Sequence, residues 1–351
     1  MQTEKKNSRK KSLPFILIIL FIIGLLAGYF GYILYQRLMG PNVTSEQEYL
    51  YIPTGSGFED LMQNIAENKI VKDTAGFRWV AEQKEYPSHV KPGKYKLEEG
   101  MNNRTLLNML GAGLQEPVNL QFQNIRLKEN FAAYLAKHLE PDSAAFSTIL
   151  NDDSLAVKHG FTTENIFTMF IPNTYEFYWN TSVDDFFERM AAEYETFWND
   201  ERLARADSVG LSQIEVSILA SIVKGEALHT DEMPEIAGLY INRLRRGMLL
   251  QADPTVIFAT QDFSIRRVLN RHLRTPSPYN TYIHKGLPPG PIMMPSIASI
   301  DAVLNFNEHD YIYMCAKDDF SGYHNFATNV RDHLVNARKF QRALDERNIM
   351  Q

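Results

Sequence analysis

From Leu13 to Tyr35 the chain carries 23 consecutive residues without an Asp, Glu, Lys, Arg or His. A bilayer interior has no water to pair backbone N–H and C=O groups, so such a run crosses it only as a helix, which pairs them internally. At 1.5 Å per residue its length suits a hydrocarbon core of about 30 Å. Lys5, Lys6, Arg9, Lys10 and Lys11 precede it, against Glu4 alone. That bias predicts a single-pass helix over 13–35 with the tail 1–12 in the cytoplasm and the rest outside the cytoplasmic membrane. A cleaved signal peptide would have a shorter apolar region and a small-residue cleavage site. Here the outer end carries Tyr29, Tyr32 and Tyr35, which suit a membrane–water interface, so the helix is expected to be retained.

Once residues 1–35 are set aside, 31 basic residues remain against 41 acidic ones, a formal charge of −10. An acidic outer part argues against nucleic acid or anionic lipid as its partner. The single cysteine, Cys315, can form no internal disulfide, so packing alone must hold the fold. Within its aromatic run Cys315 reads as a small buried hydrophobe.

Gly40-Pro41-Asn42 marks the break after the anchor. Tyr49 to Ile52 reads as a strand, Phe58 to Asn68 and Thr74 to Gln83 as helices, and Gly93 to Leu97 as a strand again. A helix through Leu106, Leu107 and Leu110 follows. These elements form a small α+β unit over 46–115, whose order resembles LysM-type glycan-binding modules; a packing domain without a ligand fits as well. Across 116–205 the spacing predicts a strand near Asn119 to Phe122 and helices through Phe131 to Leu139, Ala144 to Asn151 and Val183 to Trp198. The aromatic stretch Phe170 to Phe177 suits either a groove wall or a packed loop. The overall class is α+β, with a mixed α+β domain expected over 206–348.

That last domain holds the most telling side chain. Ser212 and Glu215 form a capping-box signature, opening a helix with Ile218, Leu219, Ile222 and Val223 on one face. Glu226 continues that same stripe, so its carboxyl points where the core points. Burial destabilises the charged form, raises the pKa and keeps a proton available for a glycosidic oxygen. A buried Glu paired with an Arg from the next helix is the structural alternative. That next helix starts near Asp231 and Pro234, uses Ile236, Ala237, Tyr240, Ile241 and Leu244 as its apolar face, and stops at Gly247. Gln251 to Thr255, Tyr279 to Tyr282 and Gly286 to Ile292 read as rigid loops rich in groups that bond sugar hydroxyls. A strand through Tyr311 to Met314, then His324-Asn325-Phe326 and a helix from Arg331, complete the chain.

Taken in order, Ala220 to Glu226, Tyr240 to Leu244, Gln251 to Thr255, Tyr279 to Tyr282 and Gly286 to Ile292 resemble the endolytic murein transglycosylase family (MltG, YceG-like). The resemblance covers nearly everything beyond the anchor and is strongest from Leu211 onwards. It implies internal cleavage of peptidoglycan strands between N-acetylmuramic acid and N-acetylglucosamine without water, leaving a 1,6-anhydro end. Glu226 matches the family's catalytic Glu, and Asn242, Gln251, Asp253, Thr255, Tyr279, Asn280 and Tyr282 are expected around the sugars. One departure stands out. Where the family often reads Val-Glu-x-Glu, this chain has Val223-Lys224-Gly225-Glu226, and a helical glycine costs about 1 kcal/mol relative to alanine. An irregular or early helix end is therefore expected there. The resemblance also implies peptidoglycan synthases as partners.

The chemistry needs one carboxyl, acting first as acid and then as base. Asp253 opposite Glu226 would instead permit a two-carboxylate hydrolase, while its place before Pro254 suits a loop-stabilising or capping role. A glycan-binding scaffold with a degenerate site is the third reading. Glu226 and His229 stand three apart, as in di-iron bundles, but no partner set accompanies them, so no metal and no cofactor are expected. His324 and His333 read as structural, His324 with a share in shaping the cleft. No nucleophile motif such as G-x-S-x-G is present.

Overall fold

The computed structural model describes residues 12–347, so the expected cytoplasmic tail lies outside the described residues except for Ser12, as does residue 348. Helix α1 spans Ser12–Met39, and its stretch Phe15–Met39 is long and apolar enough to cross a membrane. It runs four residues past the expected end at Tyr35 and stops at Gly40, whose N–H donates to Gln36 O at 2.8 Å. Large apolar side chains along it, Phe15 to Tyr35, are exposed, the opposite of a soluble protein's core helix.

The described chain forms two compact units. The first runs to Val118 and includes residues 177–180. Strand β1 (Tyr49–Ile52) pairs antiparallel with β2 (Gly93–Lys96), Leu50 opposite Tyr95. Between them lie α2 (Phe58–Glu67) and α3 (Thr74–Gln83), and after them α4 (Asn103–Ala112). This is the strand, helix, helix, strand order that the apolar spacing predicts. Leu50, Ile52 and Tyr95 share one core with Leu61, Ile65, Phe77, Val80, Leu106 and Leu110. Asp73 caps α3 through Gly76 N and Asn102 caps α4 through Thr105 N, both at 2.8 Å. Asn103 ties this core to the anchor, its amide donating to Arg37 O at 2.9 Å.

The second unit comprises 119–176 and everything from 181, so the region expected as a connector and the domain expected from 206 pack together. Strand β3 (Val118–Gln121) pairs with β4 (Thr174–Phe177). Helices α5 (Lys128–His138), α6 (Ser143–Leu150), α7 (Asp153–Lys158) and α8 (Val183–Phe197) accompany them. Their aromatic core settles the ambiguity over Phe170 to Phe177. Phe170 packs on Phe131 and Phe186, and Tyr175 stacks on Phe122 while its hydroxyl donates to Ile171 O at 2.6 Å. Phe170, Ile171, Tyr175 and Phe177 are core, while Asn173, Thr174 and Glu176 are exposed.

Next come α9 (Asp200–Val209), α10 (Gln213–Glu226), α11 (Met233–Arg245), α12 (Asp253–Thr260) and α13 (Ile297–Leu304). The capping box at Ser212 forms as the sequence predicts, with Ser212 N donating to Glu215 Oε2 at 2.8 Å. Val216 to Val223 are buried all round, so α10 runs through the middle of the unit. The antiparallel hairpin β5 (Tyr313–Ala316) and β6 (His324–Ala327), backed by α14 (Val330–Glu346), ends the fold. One difference from expectation shapes the site. Gln251 to Thr255 is not wholly a loop, because α12 begins within it at Asp253-Pro254, proline being well suited to a helix's first turn.

Candidate active site

Glu226 is the last helical residue of α10; Ala227 is already extended, its N–H donating to Val223 O at 3.0 Å. The early end expected from Lys224-Gly225 is therefore present, and neighbouring structure explains the glycine. A Cβ on Gly225 would fall 2.8 Å from Pro254 Cβ and 3.0 Å from its Cγ. The missing side chain lets the start of α12 close against the end of α10, which directs the Asp253 backbone N–H at the Glu226 carboxylate. Lys224, standing where the family often has its earlier acid, faces elsewhere. It lines a separate cavity of about 160 Å³ beside Asn124, Pro172 and Ser296.

A cavity of about 290 Å³ opens on Glu226. Asp253, Tyr282, Tyr240, Arg243 and Gln251 form one part of its wall, and Met314, Cys315, Ala316 and His324 of the hairpin another. Tyr240, only 1 % exposed, donates its hydroxyl to Glu226 Oε1 at 2.8 Å. Burial nonetheless dominates the carboxyl and pushes its pKa up to about 7, with the Asp253 charge adding to the rise. The Tyr240 hydroxyl, the Asp253 N–H and the more distant Arg243 all pull the other way without cancelling it. Asp253 is an exposed residue whose carboxyl is partly screened, which raises its pKa, while the Tyr282 hydroxyl at 2.6 Å lowers it.

Arg243 holds two walls of the cavity at once. Its Nε donates to Ile312 O at 2.6 Å, just ahead of β5, and its Nη1 to Leu250 O at 2.7 Å, just ahead of α12. Burial lowers its pKa, the cost of carrying a guanidinium into this site. Opposite, Glu232 accepts from His324 N at 2.6 Å and lies 2.8 Å from His324 Nδ1, fixing that ring against the cavity.

Of the side chains expected around the sugars, Glu226, Gln251, Asp253 and Tyr282 come together on this cavity. Three others stand behind it and hold the frame. Asn242 donates to His309 O at 2.6 Å and Tyr311 O at 3.1 Å. Thr255 and Asn280 are fully buried: Thr255 Oγ1 bonds Ala252 O and Thr281 Oγ1, and the Asn280 amide bonds Leu273 O and Thr275 O. Asn280 Oδ1 also accepts from Tyr282 N at 3.0 Å, so the buried pair delivers Tyr282 to Asp253. All three bond within the protein, and none of them lines this cavity. Tyr279 lies apart, in a cavity of about 450 Å³ with Phe258, Lys128 and Glu164.

Further expectations need adjusting. The capping role for Asp253 does not occur, since Ala252 is the cap residue of α12 and no side chain caps it. Cys315 is half-buried on the cavity wall rather than in the core. His229 turns to Ser321 O at 2.8 Å and stacks on Tyr323 at 4.1 Å. Tyr240 reads from the sequence as part of an apolar stripe and Arg243 as one of the basic residues closing its helix, so neither stands out as a site residue. The available signal was their polarity: a tyrosine or arginine buried there requires a partner.

The family model described as "YceG-like family" matches residues 50–339. Curated relatives named endolytic murein transglycosylase include one from Streptococcus pneumoniae, known from two strains, 27 % identical over 359 residues. That match covers 91 % of this chain, and this chain spans 64 % of that relative's length. The Bacillus subtilis relative of the same name is 27 % identical over 316 residues, covering 84 % of this chain and 85 % of its own. A crystal structure of a yceG-like protein from Listeria monocytogenes superposes with a TM-score of 0.55 at 22 % identity. It covers 83 % of this chain and 99 % of its own, a likeness of fold.

Proposed function

The chain belongs to the YceG-like family, and from that membership we propose that it is a membrane-anchored lytic transglycosylase of peptidoglycan. It cleaves the β-1,4 bond between N-acetylmuramic acid and N-acetylglucosamine inside a strand, closes a 1,6-anhydro ring on the muramic acid, and so ends strand growth. The relatives' shared name, endolytic murein transglycosylase, supports the substrate. The carrying observation is Glu226: a carboxyl on the cavity whose pKa is raised to about 7, hence substantially protonated near neutral pH. As the C1–O4 bond lengthens and positive charge develops at muramic C1, Glu226 gives its proton to the departing oxygen. The Glu226 carboxylate then takes the muramic C6 hydroxyl proton as O6 closes on C1, and no water is activated. Asp253 and Tyr282 face the sugars, and Arg243 fixes the walls.

The apolar helix α1 carries the anchor reading, with the N-terminus inside and both compact units on the outer side, as the basic residues before it favour. The strand and helix order of the first unit supports a LysM-like role in holding or orienting glycan. A second reading has its own observation: Asp253 lies on the same cavity as Glu226, as a two-carboxylate hydrolase would require.

Mass spectrometry of products from the detergent-solubilised full chain on uncrosslinked glycan strands separates these readings. Anhydro-muramic ends, reduced on the order of 10³-fold in Glu226→Gln, are expected. Reducing ends would transfer the site to hydrolysis, and no cleavage by the wild type would reduce it to a glycan-binding scaffold.

A further inference from the structure

Two elements of the catalytic cavity run on into a second, larger cavity within the same unit. Helix α12 presents Asp253 to the first at its N-terminal end, and Phe258 and Gln261 to the second at its far end. Eight residues long, it sets the two about 12 Å apart. The turn that follows does the same, with Tyr282 on the first cavity and Tyr279 on the second.

The second cavity, of about 450 Å³, is built around rings. Phe258 and Tyr279 line it with ring centroids 4.7 Å apart, and Phe263 stands 6.4 Å from Phe258. The Arg126 guanidinium, also on the wall, lies 5.1 Å over the Phe263 ring. Gly290 permits the close approach on the other side. A Cβ there would clash with the Glu164 carbonyl and fall 3.0 Å from the Tyr279 hydroxyl. That enclosure pushes the Tyr279 pKa up to about 12, with the Glu164 charge adding to the rise.

The charges on this wall are unevenly matched. Lys128 donates to Leu150 O at 2.7 Å and to Asn151 Oδ1 at 3.1 Å. Burial lowers its pKa, and the charges of Glu164, Glu129 and Asp153 oppose that fall, so the three acids share one ammonium. Arg126 stands outside this set. Among the described residues it has no hydrogen bond and no ion pair, and the Tyr279 hydroxyl has no hydrogen bond either. The cavity therefore offers a guanidinium fork, a phenol and an apolar ring face that the protein leaves unbonded.

Those groups do not match sugars alone. The glycan backbone of peptidoglycan is uncharged once its lactyl group is amide-linked, and the carboxylates sit on the peptides that branch from N-acetylmuramic acid. An extended peptide covers 12 Å in about four residues, so a branch leaving a muramic acid at Glu226 reaches this cavity. We propose that the cavity of Arg126, Phe258 and Tyr279 binds the peptide branch of the muramic acid at the cut, a peptide carboxylate on the Arg126 fork and the chain against the rings. This rests on the peptidoglycan substrate proposed above and narrows it to strands that keep their peptides. Arg126 is a specificity residue and takes no part in proton transfer.

The test is kcat and KM of the detergent-solubilised full chain on two substrates: uncrosslinked strands with their peptides, and the same strands stripped back to the lactyl group. Wild type should favour the peptide-bearing strands by on the order of tenfold in kcat/KM, chiefly through KM. Arg126→Ala should bring that ratio close to one. Arg126→Lys keeps the charge without the two-pronged geometry, and its ratio should fall between. Each ratio compares two substrates on one preparation, so a loss of folded protein cancels from it. A wild-type ratio of one or less would overturn the site. So would a ratio that Arg126→Ala leaves unchanged while both rates fall, the result that a further sugar on the rings would give. Product type reports separately: reducing ends from wild type would overturn the transglycosylase reading, while the ratio still decides this site.

Discussion

The core of the first unit and the cavity of the second hold their side chains in place by opposite means. Around Leu50, Phe77, Tyr95 and Leu106 nearly every buried atom is apolar, and burial itself stabilises the packing. Around Glu226 the enclosed groups are a carboxyl, a phenol and a guanidinium, each of which loses water on folding. They stay because each is bonded: Tyr240 to Glu226, Arg243 to Ile312 and Leu250. The first arrangement contributes stability. The second draws on stability and returns a carboxyl still protonated near neutral pH.

A truncation in the first core should break that contrast most heavily on one side. Leu106 is fully buried, so Leu106→Ala should cost about 2–5 kcal/mol. Chemical unfolding of the full chain should show the same loss at pH 5 and pH 8, since no titrating group is removed, and anhydro products should still form. A loss that varied with pH would mean that this core is coupled to ionisation after all.

Glu226→Gln should move stability the other way. The folded pKa is about 7 against an ordinary 4.5, so between those values the folded state binds the extra proton. Stability contributed by the acid form is thus present below about pH 4.5 and is lost as pH rises through 7. Glutamine keeps an acceptor for Tyr240 and carries no charge. The variant should therefore gain up to about 3 kcal/mol over wild type at pH 8 and little at pH 4, while cleavage is lost. Equal stability of the two proteins at pH 8 would remove the claim that Glu226 is held at a cost.

The same division explains what the sequence reveals. Apolar period located the strands and helices of the first unit, as well as α5, α6, α8, α10 and α11, because burial and spacing are one signal there. It passed over α9, where only Ala206 and Val209 of ten residues are buried, and the short α7. In the cavity it placed Glu226 at the end of a stripe, yet did not distinguish Tyr282, which faces the space, from Asn280, which is sealed behind it. Two residues apart in a turn, they differ in that the Tyr282 hydroxyl bonds Asp253, 29 residues away in the chain, a partner that no local pattern encodes. Gly225 read as a helix irregularity, whereas its reason lies 29 residues on, in Pro254.

The finest probe of the contrast is Tyr240→Phe, which removes one oxygen. The hydroxyl donates to Glu226 and favours its ionised form, so it lowers the carboxyl pKa against the larger effect of burial. Without it the acid form should persist to higher pH, and the alkaline limb of cleavage should move upward. At pH 6, where Glu226 is already mostly protonated, the rate should stay within about tenfold of wild type, since one such bond is worth roughly 1–1.5 kcal/mol. A limb that moves downward would show that Tyr240 accepts from a protonated Glu226 instead. The hydroxyl would then be stabilising the acid, and the polar groups of the cavity would work with burial rather than against it.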